Sequence, residues 1–211
     1  SDVCSSDLSM LEHGALAALD NRLPLVCIMR SSGADIVEGF AALHGWGRAA
    51  RALTDCSGVV PTIFVVDGPA VSGPALLLGL ADHVVMTEEA YAFVSGPTMV
   101  AEFTGVAIST DELGGASAHS RYTGAATLVA HDLPQAIEMA SLLLSYFPQH
   151  NDEEPPVRPT DDDPERLTPE AGDLLPTTST GSYDVRKVIA AIADDGEQLE
   201  LRPDRKSTRL N

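Results

Sequence analysis

Two short apolar runs constrain this chain more than any other feature. Pro24-Leu-Val-Cys-Ile-Met29 and Pro61-Thr-Ile-Phe-Val-Val66 carry no charged side chain, and each runs straight into a polar, glycine-bearing loop. Unbroken apolar runs of this length predict strands buried on both faces, the pattern of parallel sheets covered by helices. Between and around them lie helical patterns. Met10 to Asn21 carries Leu11, Ala15, Leu16 and Leu19 on one stripe, and about Val37 to Cys56 carries Ala49, Ala52 and Leu53. Pro74 to Ala81 predicts a small helix, with a proline at its start where the missing N–H costs nothing. His83 to Thr87 and Tyr91 to Phe93 read as short strands, Leu133 to Tyr146 as a helix capped by Asp132, and Asp184 to Ala193 as a last helix. Strand, loop and helix in alternation mean an α/β fold with a largely parallel sheet.

The net charge of −18 excludes the basic stripe that nucleic-acid binding needs. Much of it is local: Asp152, Glu153, Glu154, Asp161, Asp162 and Asp163 sit in a proline-rich stretch that has only Arg158 and Arg166 against them. That stretch, 151–180, reads as a solvated linker. Cys4, Cys27 and Cys56 form no CxxC pair, which suits a reducing cytoplasm and opposes a disulfide framework or a zinc ribbon. No apolar run is long enough to span a bilayer. His44, His83 and His131 lack metal-ligand spacing, so no metal site is expected. Residues 1–8 and 204–211 match nothing around them and resemble translated adapter sequence, so both are expected to lie outside the fold, with the chain a fragment of something longer.

Chemistry is expected in two loops that leave the carboxyl ends of the buried strands, where α/β folds place ligands. They are Arg30-Ser-Ser-Gly-Ala-Asp35 and Asp67-Gly-Pro-Ala-Val-Ser-Gly73. Small residues let a ligand approach the main chain, and one N–H from each loop could meet on a single oxygen. Arg48 and Arg51, one helical turn apart, could hold phosphate or simply be solvated. Trp46, flanked by Gly45 and Gly47, is expected to pack a helix face or a subunit contact.

Ser32-Gly-Ala-Asp-Ile36 followed by Val66-Asp-Gly-Pro-Ala-Val-Ser-Gly73 and Ala81-Asp82 resembles the crotonase superfamily, which includes the ClpP-type peptidases. The resemblance implies a crotonase-like ββα superhelix, here partial. It makes the backbone at Gly33, Ala34, Ser72 and Gly73 the oxyanion site, with the N–H groups of Ala34 and Gly73 as the donor pair. Hydratases of the superfamily carry glutamates at the positions of Leu76 and about Thr98, so their acid and base are missing here. Ser72 falls at the peptidase nucleophile, but no histidine stands near Ser95, and a serine without a base is not activated.

Longer motifs narrow the family. Ser31-Ser-Gly-Ala-Asp-Ile-Val-Glu-Gly39, Gly68-Pro69, Ser95-Gly-Pro97, Glu112-Leu-Gly-Gly-Ala116 with His119, and Leu143-Leu-Ser-Tyr146 through Asn151-Asp-Glu-Glu-Pro-Pro156 resemble the carboxyltransferase (β) subunit of biotin-dependent acyl-CoA carboxylases, the propionyl-CoA and acetyl-CoA type. That resemblance implies an N-terminal acyl-CoA domain over 9–150, the linker 151–180, and the start of a second carboxyltransferase domain over 181–203. It implies transfer of a carboxyl group from carboxybiotin, carried by a biotin carboxylase/biotin carboxyl carrier partner, to the α-carbon of a short acyl-CoA. A cytoplasmic homohexamer is implied, without metal in this subunit, and this fragment alone should be inactive. Gly114 and Gly115 join Arg48 and Arg51 as candidate CoA-binding positions, while His119 is expected to be architectural. Asp35, Ser32, Ser72 and Pro74 depart from the family pattern. Two alternatives stay open: a non-catalytic acyl-CoA-binding paralogue, and a lone crotonase-type hydratase or isomerase.

Overall fold

The computed structural model describes residues 4–33 and 35–202. It divides into two compact units, the first ending at Pro156 but including Arg202, the second spanning Val157–Leu201.

In the first unit, α1 (Ser5–Asn21) starts five residues earlier than the periodicity suggests. The cause is local. Asp7 accepts from the Cys4 backbone N–H at 3.0 Å, closing a capping box that starts the helix at Ser5. Those bonds hold the Asp7 carboxyl below the usual carboxylate range. Leu8, expected outside the fold, is 1% exposed and rests on Gly45, where a Cβ would lie 2.9 Å from its Cδ1. Residues 1–3 and 203–211 lie outside the described residues.

The sheet is parallel throughout. Its order is β1 (Leu25–Ser31), β2 (Thr62–Val71), β3 (His83–Thr87), β5 (Leu128–Ala130), with β4 (Tyr91–Phe93) pairing with the last residues of β2. Ile63, Phe64, Val65 and Val66 are fully buried, as a central strand requires. β1 departs from expectation. It is the edge strand, and Val26 and Ile28 on its outer face are 43% and 54% exposed. The helix α7 (Leu133–Leu144) lies over β2, β3 and β5 and leaves that face open. β2 also outruns its expected end. It passes through Asp67-Gly68-Pro69 to Val71, and the register with β1 jumps from Met29↔Val66 to Ser31↔Ala70. The extra residues form a bulge held by Arg30, whose Nη2 lies 2.7 Å from Asp67 Oδ2.

α2 (Phe40–Cys56) buries Ala42, Gly45, Ala49, Ala52, Leu53 and Cys56, the three-and-four spacing of one helical face. It is preceded by a single 3-10 turn (Ile36–Glu38) and by Gly39, whose φ of +51° separates the turn from the helix. α3 (Gly73–Leu77) follows β2, and α4 (Pro97–Thr104), α5 (Thr110–Gly114) and α6 (Ala116–Ala118) follow β4. Asp132 caps α7 as expected, accepting from Gln135 N–H at 3.0 Å.

The second unit takes up most of the expected linker. It holds α8 (Pro169–Asp173) and α9 (Val185–Ile192). Arg166 donates to the carbonyls of Ala191 (3.1 Å), Ile192 (3.2 Å) and Ala193 (3.1 Å), closing the last turn of α9. Arg166 thus ties the stretch before α8 to the carboxyl end of α9.

Candidate functional site

The two glycine loops leave neighbouring parallel strands and stay together. Gly33 is buried at φ +130°, a conformation that L side chains rarely adopt, and a Cβ there would lie 3.8 Å from Val71 O and 4.0 Å from Ser72 Cβ. Its N–H donates to Ser31 Oγ at 3.1 Å. Ala34 lies outside the described residues. In the second loop, Ser72 N–H donates to Phe93 O at 2.9 Å, tying the loop to the end of β4. Ser72 itself adopts φ +65° without being glycine, and its side chain is exposed.

Gly73 is the first residue of α3, so its N–H has no carbonyl to meet within its own helix. Pro74 follows and has no N–H to offer. Gly73 is hemmed from behind: a Cβ would stand 2.6, 2.8 and 2.9 Å from Cε2, Cζ2 and Cδ2 of Trp46. The indole thus lies on the glycine, and its Nε1 is buried with no hydrogen-bond partner. The helix-face packing expected of Trp46 is present, but its partner turns out to be the second glycine loop.

In front of this pair opens a cavity of about 610 Å³, walled by Ala42, Leu43, Trp46, Ala50, Leu76 and Leu77, with Asp35, Ser72 and Gly73 on its polar side. Leu76, at the hydratase acid position, is 63% exposed in the wall. Asp35 is the one titratable side chain among the described lining residues, and its Oδ1 accepts from Val37 N–H at 2.9 Å. The arrangement can hold and polarise a carbonyl, and it offers no acid–base pair to move water.

The other expected residues fall elsewhere. Arg48 bonds Ser9 Oγ at 3.0 Å and contacts Glu12 at 3.0 Å, joining α2 to α1. Arg51 is 85% exposed, lies 3.8 Å from Asp55, and borders a shallow hollow beside Phe40, Leu43 and His44. Gly114 and Gly115 pack against main chain. A Cβ on Gly114 would lie 2.1 Å from Ala92 O, and one on Gly115 would lie 2.8 Å from Asp111 O. His119 is architectural here: Nε2 meets Ala92 O at 2.7 Å and Nδ1 meets Thr123 Oγ1 at 2.8 Å. A carbonyl only accepts, so Nε2 carries the proton.

His83 is half-buried against Phe147, and burial pushes its pKa down. His131 pairs with Glu88 at 3.0 Å, which raises its pKa. Among the described residues no group of three or more His, Cys, Asp or Glu is placed to hold a metal ion, and no helix is long and apolar enough to cross a membrane.

Comparison with known proteins places this geometry. Residues 9–208 match the family described as the carboxyl transferase domain. The chain is 39% identical over 188 residues to the methylmalonyl-CoA carboxyltransferase 12S subunit of Propionibacterium freudenreichii subsp. shermanii, covering 88% of this chain and 35% of that one. It is 34% identical over 186 residues to the propionyl-CoA carboxylase beta chain of Roseobacter denitrificans, covering 88% and 36%. The crystal structure of transcarboxylase 12S with methylmalonyl-coenzyme A and methylmalonic acid bound superposes with a TM-score of 0.92 at 35% identity, over 97% of this chain and 40% of that one. The chain thus spans roughly a third of the length of these curated relatives.

Proposed function

The chain belongs to the carboxyl transferase domain family, and on that premise we propose that it supplies the acyl-CoA site of an enzyme that carboxylates the α-carbon of a short acyl-CoA, propionyl-CoA or acetyl-CoA. The observation that carries this reading is the convergence of the loops at Gly33 and Gly73 over a cavity lacking a side-chain acid–base pair. Removing the α-proton of a thioester puts negative charge on its oxygen. A preformed N–H at that oxygen stabilises the charge without reorganisation, and a single such donor is typically worth about 10²–10³ in rate. The N–H of Gly73 is one donor, and by family resemblance that of Ala34 is the other. Trp46 and Phe93 O fix the first of these in place.

Carboxybiotin, which the family resemblance implies on a partner carrier subunit, would supply the carboxyl group and the base for the α-proton, so this chain would need no base of its own there. The residues of this chain orient the thioester, hold its oxygen and line the cavity with hydrocarbon to limit water. Arg51, 85% exposed, is the candidate to meet CoA phosphate. The transcarboxylase 12S structure is described by its hexamer assembly and by substrate binding to a multienzyme core; a hexamer is proposed here too, in the cytoplasm.

The test is transfer from a carboxylated biotin carrier to propionyl-CoA and acetyl-CoA by the complete protein. Methylmalonyl- or malonyl-CoA should form. Thioester binding without transfer would favour the non-catalytic paralogue, and hydration of crotonyl-CoA would mean a hydratase instead.

A further inference from the structure

Trp46 is the one aromatic side chain among the described residues that line the cavity beside Gly73. The wall there also holds Ala42, Leu43, Ala50, Leu76 and Leu77, so it is largely hydrocarbon and includes the indole. The indole also touches the oxyanion loop directly, since three of its ring carbons lie within 2.9 Å of the place a Gly73 Cβ would take. A thioester oxygen accepting from Gly73 N–H sits about 3 Å from that nitrogen. The first carbons of the acyl chain therefore begin beside the indole, wherever the CoA portion leads. Trp46 Nε1 makes no hydrogen bond and is shut off from solvent. What this side chain brings to the site is thus bulk.

From this placement we infer that Trp46 sets the length of acyl chain the site accepts, acting as the wall on which the chain ends, with Leu76 as the opposite and more exposed boundary. The inference rests on the acyl-CoA reading above and adds a specificity-determining residue to it. The ligand class is a saturated acyl thioester of few carbons. The physical basis is the transfer of methylene groups from water into the cavity, about fourfold in affinity for each one buried. A chain that runs toward the indole is stopped by it, and with the ring removed its further carbons enter the hydrocarbon-lined space the ring fills.

The experiment compares binding of propionyl-CoA and hexanoyl-CoA to the complete protein by calorimetry, in the unsubstituted form and as Trp46→Ala, Trp46→Phe and Leu76→Trp. Trp46→Ala should raise the hexanoyl-to-propionyl affinity ratio tenfold or more, while Trp46→Phe, which keeps most of the wall, should move it less than threefold. Leu76→Trp adds bulk at an exposed position that does not endanger the core. It should lower the same ratio or abolish hexanoyl binding while propionyl-CoA still binds. A role confined to propping Gly73 would weaken both thioesters together, and equal ratios in all four proteins would overturn the inference. Failure of the unsubstituted protein to bind either thioester would instead overturn the functional reading, and this inference with it.

Discussion

Replacing Gly114 by alanine adds one methyl group at a point where α5 meets β4 main chain to main chain. That methyl would stand 2.1 Å from Ala92 O, 3.0 Å from Ala92 C and 3.1 Å from Phe93 Cδ1. Side-chain rearrangement cannot relieve the first two contacts, because both belong to the backbone of the strand. α5 must move away by roughly an ångström, given an ordinary C···O contact of about 3.3 Å or more. Two hydrogen bonds cross that seam: Ala116 N–H to Ala90 O at 3.1 Å and His119 Nε2 to Ala92 O at 2.7 Å. Overpacking costs about 1–3 kcal/mol and a weakened hydrogen bond about 1 kcal/mol, so the loss should be about 2–4 kcal/mol. For a chain of this size that is a fall of about 4–16 °C in Tm. Gly14 is the control. It sits exposed within α1 with nothing within 4 Å of an added Cβ, so Gly14→Ala should stabilise by about 0.5–1 kcal/mol. Urea unfolding followed by circular dichroism measures both. If Gly114→Ala unfolds within about 0.5 kcal/mol of the unsubstituted chain, the seam is not as tight as described and the reasoning fails.

Four further outcomes follow from the same contacts. Gly73→Ala should destabilise by about 1–3 kcal/mol through its clash with Trp46, and adding Trp46→Ala should recover part of that loss; strict additivity in the double-mutant cycle would contradict it. Ser72→Gly should stabilise by about 1 kcal/mol, because φ +65° strains a residue with a Cβ; an unchanged unfolding midpoint would show that the strain is absent. Asp132→Ala should cost about 1 kcal/mol as a lost helix cap, read from the same unfolding curves, whereas no loss would mean Gln135 N–H is satisfied otherwise. His83 is held neutral by burial, so its folded pKa lies below its unfolded one. Its contribution is then complete above about pH 6.5 and fades as pH falls through the lower, folded value. His83→Phe should flatten stability measured between pH 7 and pH 5, and an equal slope in both proteins would exclude His83 as the source.

The central strand and the loops were legible because their signals are local. β2 is apolar at every position from Ile63 to Val66, and both loops announce themselves through Gly33, Gly68 and Gly73. β1 looked equally central because Val26 and Ile28 are as apolar as any core residue; their exposure depends on where α7 lies, more than a hundred residues away in the chain. α5 could have been found, since Ser109-Thr-Asp-Glu112 is a capping box and forms one, with Glu112 N–H donating to Ser109 Oγ at 3.2 Å. The packing of Leu8 on Gly45 was hidden because its helix begins on a capping interaction of Cys4 with Asp7 that periodicity does not register. The contact of Trp46 with Gly73 links residues on different helices. The sequence offered only one hint of it, a tryptophan set between two glycines.

The pairing of β1 with β2 brings Ser31 opposite Ala70, within the two loops and just before Gly33 and Gly73. The spacing of the two loops is therefore set by a hydrogen-bond ladder, and a slip of one residue would displace one loop by about 3.3 Å relative to the other. Machinery of this kind belongs to the scaffold, and the identity of the loop side chains matters little to it. On the proposed reading, aspartate at position 35 and serine at 32 and 72 can drift without moving the main-chain N–H groups proposed to hold the thioester, whereas changes at Trp46, Ala70 or Phe93 would move them. A saturation-mutagenesis map of such a protein would thus show tolerance at the reacting surface and intolerance one layer behind it, the reverse of what an enzyme built on side-chain acids and bases displays.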